Sequence, residues 1–116
     1  MQYLLLICDD EQTLNQLSEP EQARRSQGWA TLTQELMAAN KMRSGERLRP
    51  ASSATTLRVK DGQRLLSDGP FAETKEQLGG FYIVDAENPD EAVDWASKMP
   101  HLAGGGSVEI RPIWPM

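Results

Sequence analysis

The sequence predicts an α+β fold, and three observations carry that prediction. Two short apolar runs, Tyr3–Cys8 and Phe81–Val84, are apolar on both faces, as strands covered in the middle of a sheet are. Each run is followed by a proline-containing helix start, Ser18-Glu19-Pro20-Glu21 after the first and Asn88-Pro89-Asp90-Glu91 after the second. Between the two halves, Asp61-Gly62 separates two strand-like stretches, a strong local signal for a hairpin. At 116 residues, with 39% hydrophobic and 25% charged residues, the chain suits one domain over 1–116. Two domains would each be too small for a good core.

The elements follow in order. Tyr3–Cys8 reads as a central strand, stopped by Asp9-Asp10-Glu11, an acidic cluster read as a loop or the mouth of a site. Ser18 caps a long helix, with Pro20 in its first turn and Glu21 completing a capping box. Trp29, Leu32, Leu36 and Ala39 recur at spacings of three and four and form its apolar stripe, with Gly28 as its weak point. Asn40 suits the left-handed C-terminal position, and Lys41 and Arg43 suit the negative helix end. Gly45–Pro50 is the next strand candidate, and residues 51–54 read as a linker. Thr55–Lys60 and Gln63–Asp68 then form the hairpin, with Leu57 facing Leu66 and Lys60 facing Gln63 if Asp61-Gly62 is a two-residue turn.

Asp68-Gly69-Pro70-Phe71 is a turn in which the following proline favours an extended Gly69. A polar segment, residues 72–78, leads through Gly79-Gly80 into Phe81–Val84. The second helix places Ala92, Trp95, Ala96 and Met99 on one stripe and stops at Pro100. Gly104-Gly105-Gly106 reads as a flexible connector, because a phosphate loop needs a preceding strand and a following Lys-Ser/Thr. Ser107–Trp114 closes the chain as an edge strand marked by Pro112. Without the hairpin the order is βαββαβ, the ferredoxin-like plan. One sheet with both helices on the same face leaves its other face bare. Tyr3–Cys8 and Phe81–Val84 have apolar residues to spare for that face, so pairing of two copies is expected.

Composition narrows the function classes. A formal net charge of −5 and a pI near 4.8 argue against nucleic acid, whose binding needs concentrated positive charge. The longest apolar run is far short of the roughly 20 residues of a membrane span, and it lacks the flanks of a signal peptide. The single cysteine, Cys8, has no internal disulfide partner, which points to a reducing, cytoplasmic compartment.

The stretch Asp68-Gly69-Pro70-Phe71-Ala72-Glu73-Thr74-Lys75-Glu76-Gln77-Leu78-Gly79-Gly80-Phe81 resembles the signature of the DGPF-type proteins of the YCII-related family. The resemblance extends to the Asp-Gly hairpin, the Asn-Pro-Asp-Glu-Ala helix start and Gly106–Pro112, so it covers essentially the whole chain. It implies a ferredoxin-like subunit that pairs into a dimeric α/β barrel. It also implies a setting near extracytoplasmic-function sigma factors, and little about activity. The wider group resembles small enzymes with a His–Asp pair whose histidine lies early on the first helix. Here the corresponding positions hold Trp29 and Ala38, and the first helix has no histidine, so that pair does not carry over.

Candidate chemistry therefore rests on other residues. His101, the only histidine, reads first as a solvated helix-end residue favoured by the negative helix end, and second as a general base at a cleft mouth. Asp68, Glu73, Lys75 and Glu76 form the polar heart of the signature. They suit either acid–base work or ordering of the loop, with Asp68 capping the Gly69-Pro70 turn. His101, Asp68 and Glu73 are the catalytic candidates. Lys75, Tyr82, Arg111, Gly69 and Pro70 are the ligand-binding candidates, Arg111 as a holder of anions. Asp9, Asp10 and Glu11 alternate in direction on an extended chain, so no metal site is expected from them, and no cofactor is expected. Cys8, Trp29 and Trp95 read as core. Two functions follow. The first is a small-ligand-binding or regulatory homodimer. The second is a small cofactor-independent enzyme using the signature loop and His101.

Overall fold

The computed structural model describes residues 1–115. Strand β1 (Gln2–Asp9) leads through the short helix α1 (Glu11–Asn15) into α2 (Glu19–Ala38) and then β2 (Met42–Arg47). The hairpin strands β3 (Thr55–Lys60) and β4 (Gln63–Asp68) follow, then β5 (Gln77–Asp85), α3 (Pro89–Ala96) and β6 (Ser107–Pro112). The architecture is mixed α+β. Four strands form an antiparallel sheet in the order β2-β5-β1-β6, and β3 and β4 pair separately.

Local chemistry explains most of the boundaries. Ser18 Oγ accepts the Glu21 N–H at 3.3 Å, and Asn88 Oδ1 accepts the Glu91 N–H at 2.9 Å, so both helix starts are capped by the expected side chains. Asn40 closes α2 at φ 58, and Arg43 donates to its carbonyl at 3.0 Å. The hairpin turns through Asp61 and Gly62, both at positive φ, the geometry of a type I′ turn. Its register is the expected one, with Leu57 opposite Leu66 and Lys60 opposite Gln63.

Six expectations are corrected. The second strand is Met42–Arg47, not Gly45–Pro50; pairing with the already buried β5 selects it although its own residues show no apolar pattern. The acidic cluster is not a loop: Asp10 caps α1, accepting the Gln12 N–H at 2.9 Å. Gly69 is left-handed at φ 95 rather than extended, because a residue without Cβ escapes the clash that proline imposes on its neighbour. The three glycines are built in rather than a loose connector: Gly104 ends a 3-10 turn over Pro100–Gly104 and Gly106 packs against it. The last strand stops at Pro112, two residues short of Trp114. At the end of α2, Ala39 is exposed and falls outside the stripe.

Alternation along β1 and β5 sorts the residues into two faces. Tyr3, Leu5 and Val84 are buried against Leu32 and Leu36 of α2 and Ala92 and Ala96 of α3. Leu4, Leu6, Phe81 and Ile83 point the other way and are half-buried, with Leu4 opposite Ile83 and Leu6 opposite Phe81. The molecule measures 49 × 42 × 18 Å. One sheet and one helix layer, each about 10 Å deep, fill that least dimension, so among the described residues no third layer covers the second face. Among the described residues no helix is long and apolar enough to cross a membrane.

Charged contacts tie the sheet margin together. Asp85 accepts from the N-terminal ammonium and from Arg43, each at 3.0 Å. The ammonium hydrogen bond is the main reason its carboxyl sits below the usual range, and it outweighs the opposing loss of hydration. A carboxyl depressed in the folded state stabilises the fold above its unfolded pKa, and that contribution is lost as pH falls through the folded value. The wild-type advantage over Asp85→Asn in urea midpoint should therefore be present at neutral pH and shrink below about pH 4. An advantage that is unchanged at low pH contradicts the assignment.

Candidate functional site at the His101 end of the sheet

The end of β1 and the start of β6 meet α2 and the 3-10 turn, and the polar groups of the helix layer converge there. His101 is only 2% exposed. Its Nε2 lies 2.8 Å from the Ser107 carbonyl oxygen, which can only accept, so Nε2 carries the proton and donates. Nδ1 is buried and has no hydrogen-bond partner among the described residues. The ring stacks on Trp29 at 5.6 Å between centroids and 19° between planes, and Trp29 meets Tyr82 edge-on at 5.8 Å. The one histidine of the chain thus packs against Trp29 of α2 from another element.

Beside this stack lies an ion pair. Asp9, 8% exposed at the end of β1, accepts from Arg25 Nη1 at 2.9 Å and from the Asp10 N–H at 2.9 Å. Arg25 precedes Trp29 by four residues on the same helical face as Leu32 and Leu36, so the stripe of α2 ends in a cation that needs a buried acid. Two glycines make the room. A Cβ at Gly104 would overlap the Arg25 guanidinium. One at Gly106 would come within 2.5 Å of His101 Cδ2 and 3.0 Å of the Cys8 carbonyl oxygen.

The acidic cluster is divided among separate tasks. Asp9 holds Arg25, Asp10 caps α1, and Glu11 Oε1 accepts the Ala51 N–H at 2.7 Å. The signature loop lies elsewhere in kind. Asp68, Glu73, Lys75 and Glu76 are exposed, and none bonds to His101 among the described residues. Gly69 and Pro70 are half-buried at the root of the hairpin, where the Gly69 carbonyl accepts from Thr56 Oγ1 at 2.8 Å. Instead of the solvated or cleft-mouth position expected of it, His101 is enclosed, because the 3-10 turn folds back onto α2.

Strand parity separates the remaining candidates. Tyr82 lies opposite Leu5, on the helix side, and its hydroxyl is 2.8 Å from Thr33 Oγ1, so it faces away from the open face. Arg111 lies opposite Leu4 on the open face, exposed and 3.8 Å from Glu109. Cys8 also lies on the open face, opposite Ser107 and Leu78. Burial pushes its thiol pKa up, and the negative charges of Glu76 and Glu109 push it further, the opposite of what a thiolate nucleophile requires. Sequence reasoning missed Asp9–Arg25 as a pair. The available signal was an arginine continuing an apolar stripe, together with an acid at a strand end.

Comparison with known proteins adds three findings. The YCII-related domain matches residues 1–116. An uncharacterized protein of Rhizobium meliloti (strain 1021) is 38% identical over 114 residues, 97% of this chain and 92% of its own length. Among solved structures, the 5-chloro-2-hydroxyhydroquinone dehydrochlorinase of Burkholderia phenoliruptrix AC1100, in complex with 2,5-dihydroxybenzoquinone, is 19% identical. That match covers 99% of this chain and 94% of the dehydrochlorinase, at a TM-score of 0.48.

Proposed function

The chain belongs to the YCII-related family, and from that premise we propose that it is a homodimer of ferredoxin-like subunits that binds a small ligand. The observation that carries this reading is the bare sheet face. Leu4, Leu6, Phe81 and Ile83 form a contiguous apolar centre across β1 and β5, flanked by Glu109 and Arg111 on β6 and by Ser44 and Glu46 on β2. Two such faces, stacked, bury the apolar centre and enclose a space with charged margins, as a dimeric α/β barrel does. That interior suits a small molecule with an apolar body and an acidic group, held by Arg111.

Binding is favoured over turnover by the separation of the acid–base candidates. His101 is enclosed and bonded to Ser107, whereas Asp68 and Glu73 are exposed and unconnected to it. General acid–base work needs those groups within hydrogen-bond reach of one reacting atom. The test is a thermal-shift screen of small aromatic and aliphatic carboxylates on wild type and Arg111→Ala. A ligand that binds only the folded state raises the melting temperature with its concentration. The expected result is a concentration-dependent rise in wild type that Arg111→Ala removes. A rise of equal size in both proteins, or none in either, contradicts the placement of the ligand on this face.

A further inference from the structure

We propose that the β3–β4 hairpin is an arm that grips the body of a second copy of this chain. The inference rests on the dimer reading above and assigns it a second, separate contact. The hairpin is detached from its own body. Among the described residues its strands pair in a ladder only with each other and form a sheet of their own. Its root is fixed by the Gly69 N–H donating to the Ala54 carbonyl at 2.7 Å and by Thr56 bonding to Gly69. No hydrogen bond joins residues 55–68 to the four-stranded sheet among the described residues. A two-stranded ribbon standing alone in water is marginal at best, so this one needs a cover.

Its side chains say what kind of cover. Leu57 and Leu66 face each other and Val59 follows two residues on, so all three share one face of the ribbon. They are 54%, 64% and 65% exposed, and Phe71 just beyond the root is 81% exposed. A contiguous apolar strip of this kind marks an interaction surface. The chain's own sheet does not supply the cover, because the 18 Å thickness leaves no room for the ribbon over it. The radius of gyration, 16.1 Å, exceeds the roughly 13 Å of a compact chain this long, as a projecting arm requires.

Charge and connectivity select the occupant. Arg58, Lys60 and Arg64 outnumber Asp61 and Asp68 on the arm, giving it a net +1, while the rest of a chain of net −5 carries −6. A basic, apolar arm is complementary to the acidic body of another copy. The arm also runs through residues 69–76 directly into β5, the strand that presents Phe81 and Ile83 on the open face. Under two-fold symmetry each arm reaches the other subunit, so the contact is made twice.

Two measurements test the arm separately from the dimer. In sedimentation over a dilution series, the double variant Leu57→Asp/Leu66→Asp should dissociate at a concentration at least tenfold above wild type, with its far-ultraviolet circular dichroism unchanged outside the hairpin signal. A photoreactive benzoylphenylalanine in place of Val59 should give a covalent dimer on irradiation, with the attachment mapped outside residues 55–68. A dimeric wild type whose dissociation is unaltered by the double variant overturns the arm and leaves the dimer standing. A cross-link confined to one chain likewise overturns it. A wild type that is monomeric at every concentration overturns both readings.

Discussion

Replacing Asp9 by alanine should cost the fold about 3 kcal/mol, because it strands the Arg25 guanidinium inside the molecule without its counter-charge. The side chains of the pair are 11% and 16% exposed, too little for water to take over the role of either partner. Asp9 also accepts the Asp10 N–H, so the variant loosens the turn into α1 as well. The double variant Asp9→Leu/Arg25→Met should recover most of the loss, since exchanging both members of a buried pair for apolar residues is often neutral. Urea unfolding of wild type, Asp9→Leu, Arg25→Met and the double variant measures the coupling directly. A loss below about 1 kcal/mol in Asp9→Ala would mean that the pair behaves as a surface ion pair.

A comparable effect is expected of Gly106→Ala, for a steric reason. The added methyl would meet His101 Cδ2 at 2.5 Å, the Cys8 carbonyl oxygen at 3.0 Å and the His101 carbonyl oxygen at 3.1 Å. The imidazole is pinned between Trp29 and the Ser107 carbonyl, and the two oxygens belong to backbone that pairs or turns in place. Nothing there yields cheaply, so a loss at the upper end of the usual 1–3 kcal/mol for overpacking is expected, about 3 kcal/mol. Gly79→Ala is the control. Its methyl would meet only the Ile7 carbonyl oxygen, at 3.8 Å, and its melting temperature should stay close to wild type. Equal effects at the two positions would remove the steric argument.

Where local chemistry decides the structure, the residues were readable. Ser18 and Asn88 cap the helices they were expected to cap, and Asp61-Gly62 sets the whole hairpin register through its own dihedral angles. The strands at the centre of the sheet announce themselves because burial on two faces demands apolar runs. The failures are tertiary. Strand β2 has no pattern of its own and exists because β5 offers it an edge. Tyr82 shares a run with Phe81 and Ile83, and only the pairing of β5 with β1 shows that its face is the helix side. His101 looked like a helix-end residue, and its enclosure depends on a tryptophan seventy-two positions away.

That division explains why more of the fold than of the site was legible. The open face was foreseeable from apolar residues in excess of what two helices cover. The Asp9–Arg25–His101 end required contacts among three separate elements, none of which carries a motif. Gly106 likewise reads as a connector until the imidazole beneath it is seen.

The dimer we propose on the bare sheet face is tested most directly by the mass in solution of wild type beside Leu6→Asp. Leu6 lies at the centre of the open face opposite Phe81 and takes no part in the helix-side core, so the substitution spares the subunit's own packing. Light scattering on a sizing column should give wild type twice the 12.9 kDa of one chain and Leu6→Asp a single chain that still unfolds cooperatively. A wild type that elutes as a 12.9 kDa monomer, or a Leu6→Asp protein that remains dimeric, would contradict it.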